Sequence, residues 1–469
     1  MSGRRDDAPR VIVVGGGLAG MAAASALARS GCRVELHEAR RRLGGRASSW
    51  RDPATGELVD FCRHVGMGCC TNWLDFCRRH GLLEMLRRDR TVRFFAPDGS
   101  AATLAGAWWL PAPLHLLPSL VRMRHLSQRD RLGIARAMFR LMRLPSDDDS
   151  QSFGAWLRAH GQTATAIDGF WGPVVVSALG EALERSSLRY ARKVFVDGFL
   201  NHRNAYEIDV PTVPLGELYG DRLAHALRRL GVELWTESPG RELTTPPDGA
   251  ARAACGASPP READAVVVAL PWRRAAELLA PLADRWPEVR RWNDFGSAPI
   301  SGVHLWFDRP IADVPHAVLT GTLAQWVFTE SDARSTSGEC YVQVVVSAAY
   351  DLESLPKNEA IDRIAAELRG VFPRAVAARL LRWKIVTEPE AVFSARPGID
   401  ALRPSQATPL PGLFVAGDWT ATGWPSTMEG AVRSGYLAAE RTLERFGMPQ
   451  RVVVDDLPRA WLSRLLVRR

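Results

Sequence analysis

Residues 11–50 read VIVVGGGLAGMAAASALARSGCRVELHEARRRLGGRASSW, and this stretch decides the fold. Val11 to Val14 is a β-branched run without charge, which is typical of a parallel strand buried on both faces. A glycine turn follows, and the alanine-rich and leucine-rich segment from Leu18 to Arg29 predicts a helix that stops at Gly31. Arg33 to His37 predicts a second strand. The order of strand, glycine turn, helix and strand predicts a nucleotide-binding βαβ unit.

The first glycine turn has the spacing G-x-G-x-x-G at Gly15, Gly17 and Gly20. The first glycine permits a tight turn, the second lets backbone amides approach a diphosphate, and the third lets helix and strand pack closely. Glu38 ends the second strand about 20 residues further on, where an acid accepts hydrogen bonds from a ribose. We therefore predict a dinucleotide site that includes Gly15, Gly17, Leu18, Ala19, Gly20, Glu38 and Ala39.

A second glycine turn, Leu43-Gly44-Gly45-Arg46, comes shortly after the acid. It can place its amides and one guanidinium beside the same diphosphate, because an arginine fork suits phosphate oxygens. This favours FAD over a nicotinamide dinucleotide and adds Gly44, Gly45 and Arg46 to the predicted FAD-binding residues. The alternative is an ordinary glycine turn with a surface arginine.

With 469 residues, the chain is long enough for two or three domains. Its apolar content of 46% is that of a packed globular protein. The formal net charge is +8, but 57 of the 60 lysine and arginine residues are arginine and they are scattered along the chain. We therefore expect no nucleic-acid partner. The seven cysteines include no C-x-x-C pair, so we expect no metal and predict buried free thiols in a reducing compartment.

The N-terminus superficially resembles a secretion signal, because Arg4 and Arg5 precede an apolar run. Asp6 and Asp7 intervene, no small-residue cleavage site follows, and the nucleotide unit already explains the run. We expect a cytoplasmic protein whose mature chain starts near Ser2, with a peripheral position on the inner face of the cell membrane as a further option.

The segment from Gly99 to Val121 contains no charged residue if His115 is neutral, and its length would suit a bilayer span. Its three prolines would each break a regular spanning helix. The segment carries Trp108 and Trp109, so we expect it to line an apolar cavity or to enter a membrane interface. A loop packed on the core is the alternative.

The C-terminal tail from Leu457 to Arg469 has the pattern of a basic amphipathic helix. Helical spacing places four apolar residues on one face, with arginines around them: Trp461, Leu462, Leu465 and Leu466. Such a helix can lie on an anionic membrane or dock on the surface of its own protein. Both interpretations remain open at this stage.

A second informative stretch, GLFVAGDW, runs from Gly412 to Trp419 and is followed by TATGWPSTMEGAVRSGYLAAE. A strand delivers Gly417 and Asp418 to a turn, and we predict a long helix from Pro425 to Glu444. The aspartate can bind the ribitol, and amides at the helix start can face the electron-rich edge of a flavin ring. We add Gly240, Gly417, Asp418, Met428 and Ala431 to the predicted FAD-binding residues.

The whole pattern predicts an α/β fold, a Rossmann-like FAD-binding domain of the GR2 type with an interleaved α+β substrate domain. A long helical insertion follows the nucleotide unit, with Phe170-Trp171-Gly172-Pro173 between two of its helices. The expected segments are residues 9–75, 215–285 and 385–447 for the FAD-binding domain, 76–214 for a helical substrate or membrane-facing part, 286–384 for the substrate sheet and 448–469 for the tail.

The motifs GGGLAG, HEARRRLGGRA and LFVAGDWTATGWPSTMEGAVRSGYLAA resemble those of the FAD-dependent amine oxidase and carotenoid desaturase superfamily. Within it, DWTATGWPSTMEGAVRSG together with VDFCRHVGMGCC is most similar to the hydroxysqualene dehydroxylases, or squalene-associated FAD-dependent desaturases. That resemblance implies hydride transfer from reduced flavin to an allylic alcohol of a C30 isoprenoid, which yields water and squalene for hopanoid biosynthesis. The sequence departs from the pattern at Cys62 and Arg63, where we expect glycine and glutamine.

Loss of hydroxide from an allylic carbon needs a proton donor and surroundings that tolerate positive charge. His64 and Asp60 are the candidate acids, although a lone histidine is often a structural hydrogen bonder. Trp424 and Trp171 could present π faces to a cationic carbon. Carotenoid-type desaturation, flavin amine oxidation and a non-enzymatic membrane scaffold are the alternatives. The resemblance implies an isoprenoid lipid partner, and the sequence leaves the reductant unidentified.

Overall fold

A computed structural model describes residues 8–245, 251–329 and 338–468 of the chain. Numbered in chain order, the strands are β1 Arg10–Val14, β2 Arg33–His37, β3 Ser49–Arg51, β4 Leu58–Asp60, β5 Gly66–Met67, β6 Leu86–Asp89, β7 Thr91–Phe95, β8 Ala101–Ala105, β9 Ile208–Pro211, β10 Glu233–Trp235, β11 Gly240–Thr244, β12 Ala251–Cys255, β13 Arg261–Ala263, β14 Ala265–Val268, β15 Ser297–Phe307, β16 His316–Leu319, β17 Trp326–Thr329, β18 Cys340–Ser347, β19 Leu380–Phe393 and β20 Leu413–Val415.

The α-helices are α1 Leu18–Arg29, α2 Thr71–Arg79, α3 Leu117–Arg122, α4 Gln128–Arg143, α5 Phe153–Ala159, α6 Ala164–Ala166, α7 Gly172–Leu179, α8 Leu188–Phe195, α9 Ala224–Arg229, α10 Trp272–Leu279, α11 Tyr350–Ser354, α12 Lys357–Val371, α13 Met428–Arg445 and α14 Trp461–Leu466. Three π-helical segments occur at Ile167–Trp171, Val196–Leu200 and Gly216–Leu223.

A five-stranded parallel sheet in the order β10-β2-β1-β14-β20 forms the nucleotide-binding part. Its strands come from three separate stretches of the chain, because β1 pairs with β2 on one side and with β14 on the other. Val11 and Val13 pack into one core, while Ile12 and Val14 pack into another. Helices α1 and α13 lie on one face of the sheet, and the three-stranded sheet β11-β12-β13 lies on the other. Both faces are therefore buried, which is why the strand contains no charge after Arg10.

Helices α1 and α13 pack closely against one face of this sheet. A Cβ atom at Gly435 would lie 2.2 Å from the Ala19 carbonyl oxygen, so the contact requires glycine there. The approach joins the start of the chain to its last long helix. The two ends of the sequence therefore build one binding edge together.

A seven-stranded sheet in the order β19-β15-β18-β17-β16-β7-β8 forms the second part of the molecule. Its pairs are antiparallel except for β16 and β7. Helix α12 covers one face, where Ile361, Ile364 and Leu368 join the core. Side chains from β7, β16 and β17 line a cavity that lies between this sheet and the parallel sheet.

Some expected boundaries fall inside observed elements. The boundary at 75/76 lies within α2, and the one at 384/385 divides β19, which continues unbroken through the edge of the seven-stranded sheet. Residues 249–260 are small, polar and proline-bearing, which predicts a surface hairpin tip, but residues 251–255 form β12 with largely buried side chains. Strands β19 and β12 are both fixed by pairing with neighbouring strands, and composition does not reveal such pairing. Residues 246–250 of that expected tip lie outside the described part.

The expected break at 170–173 is wrong. Helix α6, the π-helical segment Ile167–Trp171 and helix α7 form one continuous helical run. Pro173 is the second residue of α7 and is tolerated because the π turn shifts the hydrogen-bond pairing just before it. Trp171 is fully buried and donates its N–H to Gln162 Oε1 at 2.8 Å, so it is a core residue and not a π surface for a substrate.

The tail docks on the protein through one side only. Ser463 donates its O–H to the Leu200 carbonyl at 2.7 Å, and Val467 is buried. Trp461 and Leu465 point outward and are 64% and 68% exposed. The helix is also short, because α14 covers only Trp461–Leu466. Among the described residues, no helix is long and apolar enough to cross a membrane.

Candidate active site and cofactor cavity

A cavity of about 1500 Å³ lies between the parallel sheet and the seven-stranded sheet. The glycine turns and helix starts of the parallel sheet line one end. Apolar side chains of the other sheet and of the helical insertion line the opposite end. Because pockets for single small ligands usually measure about 300–1,000 Å³, this cavity has room for a dinucleotide and a second molecule.

The three glycines of the first turn have different roles. Gly15 has φ +114°, and a Cβ atom there would lie 2.4 Å from the Ala269 carbonyl oxygen. A Cβ atom at Gly20 would lie 1.9 Å from the Gly15 carbonyl oxygen, so Gly20 serves helix packing and does not line the cavity. A Cβ atom at Gly17 would have no heavy atom within 4 Å, so the backbone there faces an open cradle at the cavity wall.

Glu38 lines the cavity beside this cradle. Its Oε2 accepts a hydrogen bond from the Gly16 N–H at 2.8 Å, and its Oε1 accepts one from the Arg40 N–H at 2.8 Å. A carboxylate offers about four acceptor positions, so about two remain for ribose hydroxyls. The backbone contacts fix the carboxylate in the orientation that such binding needs.

Arg46 and Asp418 form an ion pair across the cavity wall. Arg46 also donates to the Ala391 carbonyl at 2.6 Å, and Asp418 accepts a hydrogen bond from the Ser426 hydroxyl. The Gly417 N–H donates to Ser434 Oγ at 2.8 Å. The ion pair therefore connects the second glycine turn to the end of the last strand. Arg46 and Asp418, both predicted to bind FAD, line the cavity.

Helix α13 points its N-terminus at the cavity. Thr427 caps it by accepting the Gly430 N–H at 3.1 Å. The carboxylate of Glu429 in the first turn accepts hydrogen bonds from the Trp73 N–H and the Asn72 amide, so protein donors occupy it. Burial raises the pKa of Glu429. The helix start therefore presents mainly backbone amides, which favour an electron-rich ligand edge.

These features fit FAD: an open glycine cradle, two helix N-termini and a fixed carboxylate face one elongated cavity. The predicted residues that line it are Gly15, Gly17, Leu18, Ala19, Glu38, Ala39, Gly44, Gly45, Arg46, Gly240, Gly417, Asp418, Met428 and Ala431.

The two candidate acids have different surroundings. His64 lines the cavity, with its Nδ1 2.9 Å from the Cys62 carbonyl oxygen. Burial, together with the charge of Arg46, lowers the pKa of His64, so the ring is neutral at neutral pH. Asp60 does not line the cavity and accepts hydrogen bonds from the Leu215 N–H at 2.7 Å and the Ser49 hydroxyl at 2.6 Å.

The expectation that Asp60 protonates a substrate is therefore wrong, because its carboxylate is used to hold β3 and the Gly216–Leu223 segment in place. In the fully described stretches of the chain, no group of three or more His, Cys, Asp or Glu side chains is placed to hold a metal ion. Cys32, Cys69, Cys77 and Cys255 are buried thiols.

Trp424 lines the cavity, but its ring already has cationic neighbours from the protein. Lys193 Nζ lies 4.2 Å from the ring centroid and Arg433 Cζ lies 5.5 Å from it. The π face that we assigned to a cationic carbon of the substrate is therefore engaged by Lys193. The positive charges that lie against this ring belong to the protein.

Sequence reasoning missed the residues of the apolar end. They come from strands and helices far apart in the chain, namely Val92, Phe94, Leu104, Val174, Trp326 and Phe328. Alternating apolar residues on β7 and β17 could have indicated a lined face, since successive side chains point to opposite faces of a strand. Lys193 and Asp197 were also missed. Their signal was a lysine, rare in this chain, four residues before an aspartate.

Comparison with known proteins places the chain in a family. The family described as flavin containing amine oxidoreductase matches residues 18–443. The chain is 29% identical to hydroxysqualene dehydroxylase of Rhodopseudomonas palustris over 448 residues, which cover 92% of this chain and 98% of that protein. It is 26% identical to 15-cis-phytoene desaturase of Synechococcus elongatus over 479 residues, which cover 93% and 96% of the two chains.

Solved structures show the same fold. Cyclohexylamine oxidase from Brevibacterium oxydans superposes with a TM-score of 0.69 at 17% identity, covering 94% of this chain and 100% of that chain. At such low identity the likeness concerns the fold alone. It agrees with the predicted α/β architecture of a cofactor-binding parallel sheet joined to a second domain.

Proposed function

The chain belongs to the flavin containing amine oxidoreductase family and is an FAD-dependent oxidoreductase, and from that premise we propose that it reductively dehydroxylates hydroxysqualene to squalene in hopanoid biosynthesis. The observation that carries the proposal is the lining of the cavity. Apolar side chains line the end of the cavity opposite the end that fits FAD, and both ends belong to one continuous cavity. Such a chamber suits an isoprenoid chain and gives little to hold a compact charged amine.

The similarity to hydroxysqualene dehydroxylases supports the same substrate class. It extends over 92% of this chain. The differences at Cys62 and Arg63 lie in the cavity wall. Arg63 donates to the Pro211 carbonyl at 3.3 Å, so the arginine has a structural contact besides its place at the cavity.

FAD, when bound and reduced, supplies the hydride for the allylic carbon. The protein supplies an apolar chamber that excludes water. It also supplies His64 in its neutral form. Because the Cys62 carbonyl accepts the hydrogen on His64 Nδ1, the other ring nitrogen is an acceptor in the neutral ring. We propose that His64 orients the substrate hydroxyl by accepting its hydrogen, which leaves proton donation to another group.

The direct test uses purified protein that carries FAD, reduced with dithionite and kept anaerobic. Addition of hydroxysqualene should restore the oxidised flavin spectrum and produce an equal amount of squalene. Squalene itself is the control and should leave the spectrum unchanged. Absence of reoxidation with hydroxysqualene would exclude the proposal.

Carotenoid-type desaturation is the second candidate, because phytoene desaturases are similar to this chain over the same extent as the dehydroxylases. The two activities move electrons in opposite directions. Oxidised protein offered 15-cis-phytoene without oxygen should become reduced if the chain is a desaturase. Reduction of the flavin in that experiment, with no reaction of hydroxysqualene, would favour this candidate.

We also propose peripheral contact with a membrane through a tryptophan patch, defined as Trp108, Trp109, Trp461 and Leu465. Trp108 and Trp109 are 81% and 62% exposed, so this part of the segment neither lines the cavity nor packs on the core. Arg203 donates to the Trp108 carbonyl at 3.0 Å, and the nearby Asn201 carbonyl accepts the Ala460 N–H at the start of α14. Both halves of the patch are therefore anchored to one short turn.

The patch is adjacent to the cavity. The Gly106 N–H donates to the Tyr206 hydroxyl at 2.7 Å, and Tyr206 lines the cavity wall. Exposed tryptophans beside arginines favour the interface of an anionic bilayer. A lipid dissolved in that bilayer would reach the apolar end of the cavity without crossing water.

A further inference from the structure

A charged pair stands in the apolar wall of the cavity. Lys193 belongs to α8, and Asp197 lies one turn later in the π-helical segment Val196–Leu200. Lys193 Nζ lies 2.8 Å from Asp197 Oδ2, and the Asn201 amide donates to Asp197 Oδ1 at 2.7 Å. The pair therefore has a fixed orientation, and π-helical turns of this kind often occur at functional sites.

The stretch of cavity wall that carries the pair is otherwise uncharged. The other cavity-lining residues between 173 and 208 are Pro173, Val174, Ser177, Ala178, Gly180, Val194, Gly198, Phe199, Tyr206 and Ile208. Holding two charges beside such a wall costs desolvation free energy. An i,i+4 ion pair on a helix contributes little to the free energy of unfolding, so stability alone does not account for its position.

The ammonium group is placed where the two ends of the cavity meet. Lys193 Nζ lies 4.2 Å from the ring centroid of Trp424. Trp424 belongs to the turn between Asp418 and Met428, both of which line the end that fits FAD. Lys193 therefore lies beside the turn that leads from Asp418 to Met428 at the end that fits FAD.

The residue type also matters. Only three of the 60 lysine and arginine residues are lysine, and one of them is Lys193. Arginine keeps its proton in proteins, whereas a lysine ammonium can give one up. Arginine could form the same ion pair with Asp197, so the choice of lysine points to a function that needs a transferable proton.

We propose that Asp197 holds the Lys193 ammonium so that it donates a hydrogen bond to the hydroxyl oxygen of the lipid substrate, and that Lys193 donates the proton with which this group leaves as water. The proposal rests on the proposed function. The C–O bond breaks with its electron pair on oxygen, and a proton from Lys193 Nζ completes the water molecule. The new C–H bond forms with a hydride from the reduced flavin, which supplies both electrons, and Lys193 remains neutral beside Asp197.

The first experiment measures binding without turnover. Protein carrying oxidised FAD, in detergent micelles, is equilibrated by dialysis against hydroxysqualene or squalene. The wild type should prefer hydroxysqualene by about tenfold or more, as expected for a hydrogen bond to a charged group. Lys193→Met should lose this preference while its affinity for squalene and its FAD content stay the same. Lys357→Met, at an exposed lysine on α12, is the matched control and should behave like the wild type.

A second variant separates charge from proton donation. Lys193→Arg should keep the preference for hydroxysqualene, but its single-turnover reoxidation should slow by about 100-fold or more, since a positioned acid contributes about 10²–10⁴-fold. This variant also decides the matter if Lys193→Met fails to retain FAD.

The outcomes separate the two proposals. If the wild type does not convert hydroxysqualene, the proposed function fails. If it converts the substrate while Lys193→Met keeps both preference and rate, the pair is only structural and this inference alone is overturned. A Lys193→Arg variant with the rate of the wild type would overturn the assignment of the proton donor.

Discussion

Gly15 and Gly17 lie in one turn, yet a side chain at these two positions should have opposite consequences. Gly15 has φ +114° and backbone in the way of a Cβ atom, whereas Gly17 faces open space. The difference separates a glycine needed by the fold from a glycine needed by the ligand. Sequence spacing alone treats the two positions alike.

We expect Gly17→Ala to fold normally and to bind FAD about tenfold or more weakly, because its methyl group occupies the cradle where a diphosphate approaches the backbone. Far-ultraviolet circular dichroism, urea unfolding without cofactor and flavin fluorescence titration measure these effects. Gly15→Ala is the contrasting variant and should lower the free energy of unfolding itself. Normal FAD affinity in Gly17→Ala would show that the cradle does not hold the diphosphate.

At the scale of the element, helix α13 connects local capping to the cavity. Thr427 accepts the Gly430 N–H at its start, and Ser127 caps α4 in the same manner by accepting the Asp130 N–H at 3.1 Å. Thr427 lines the cavity, whereas Ser127 does not. The two helices therefore offer a matched pair for separating stability from ligand binding.

We expect Thr427→Ala and Ser127→Ala each to lower the free energy of unfolding by about 1 kcal/mol, the usual cost of losing a side-chain cap. Only Thr427→Ala should also weaken FAD binding, by several-fold, because the amides of α13 lose their orientation. Urea unfolding and flavin titration of both variants check this. Equal FAD affinity in the two variants would contradict a role for the α13 N-terminus in binding.

At the scale of the whole molecule, the tryptophan patch determines how the protein meets its substrate. We expect the wild type to float with liposomes that contain anionic lipid and to stay behind with neutral ones, since arginines surround the patch. Trp108→Ser combined with Trp109→Ser should reduce flotation several-fold. Its activity on substrate delivered in detergent should not change, because these side chains lie outside the cavity. Undiminished flotation would locate the membrane contact elsewhere.

Buried histidines predict how the stability of the molecule responds to acid. Burial lowers the pKa of His80, His115 and His304 to about 4, from the ordinary value of 6.5. Between these values the unfolded chain binds protons that the folded protein does not. The free energy of unfolding should therefore fall as the pH is lowered from about 6.5 to about 4, with each histidine contributing roughly 1–3 kcal/mol.

His115→Phe tests this expectation, because His115 is 1% exposed and packs beside Tyr206. The variant should lose less stability between pH 6.5 and pH 4 than the wild type, as followed by urea unfolding at several pH values. His225→Phe, at an exposed position, is the control and should keep the acid sensitivity of the wild type. An unchanged slope in His115→Phe would refute the assignment.

The sequence by itself determined the nucleotide-binding unit. Helix α1 and strand β2 have the predicted bounds, because glycines, a charge-free strand and a helix stop are local signals carried by neighbouring residues. The FAD turns follow for the same reason. The cap of α4 is a local contact of the same kind, because Ser127 and Asp130 lie three positions apart in the chain.

Only the tertiary structure decided which side chains meet at the cavity. Arg46 and Asp418 are 372 positions apart in the chain, and no local pattern predicts their ion pair. The direction of a side chain was equally hidden, because Asp60 and His64 are near neighbours yet only His64 faces the cavity. Lys193 lies against Trp424 because helix α8 and the distant turn before α13 come together in the fold. Such contacts arise from the packing of whole elements, which the order of residues within each element does not specify.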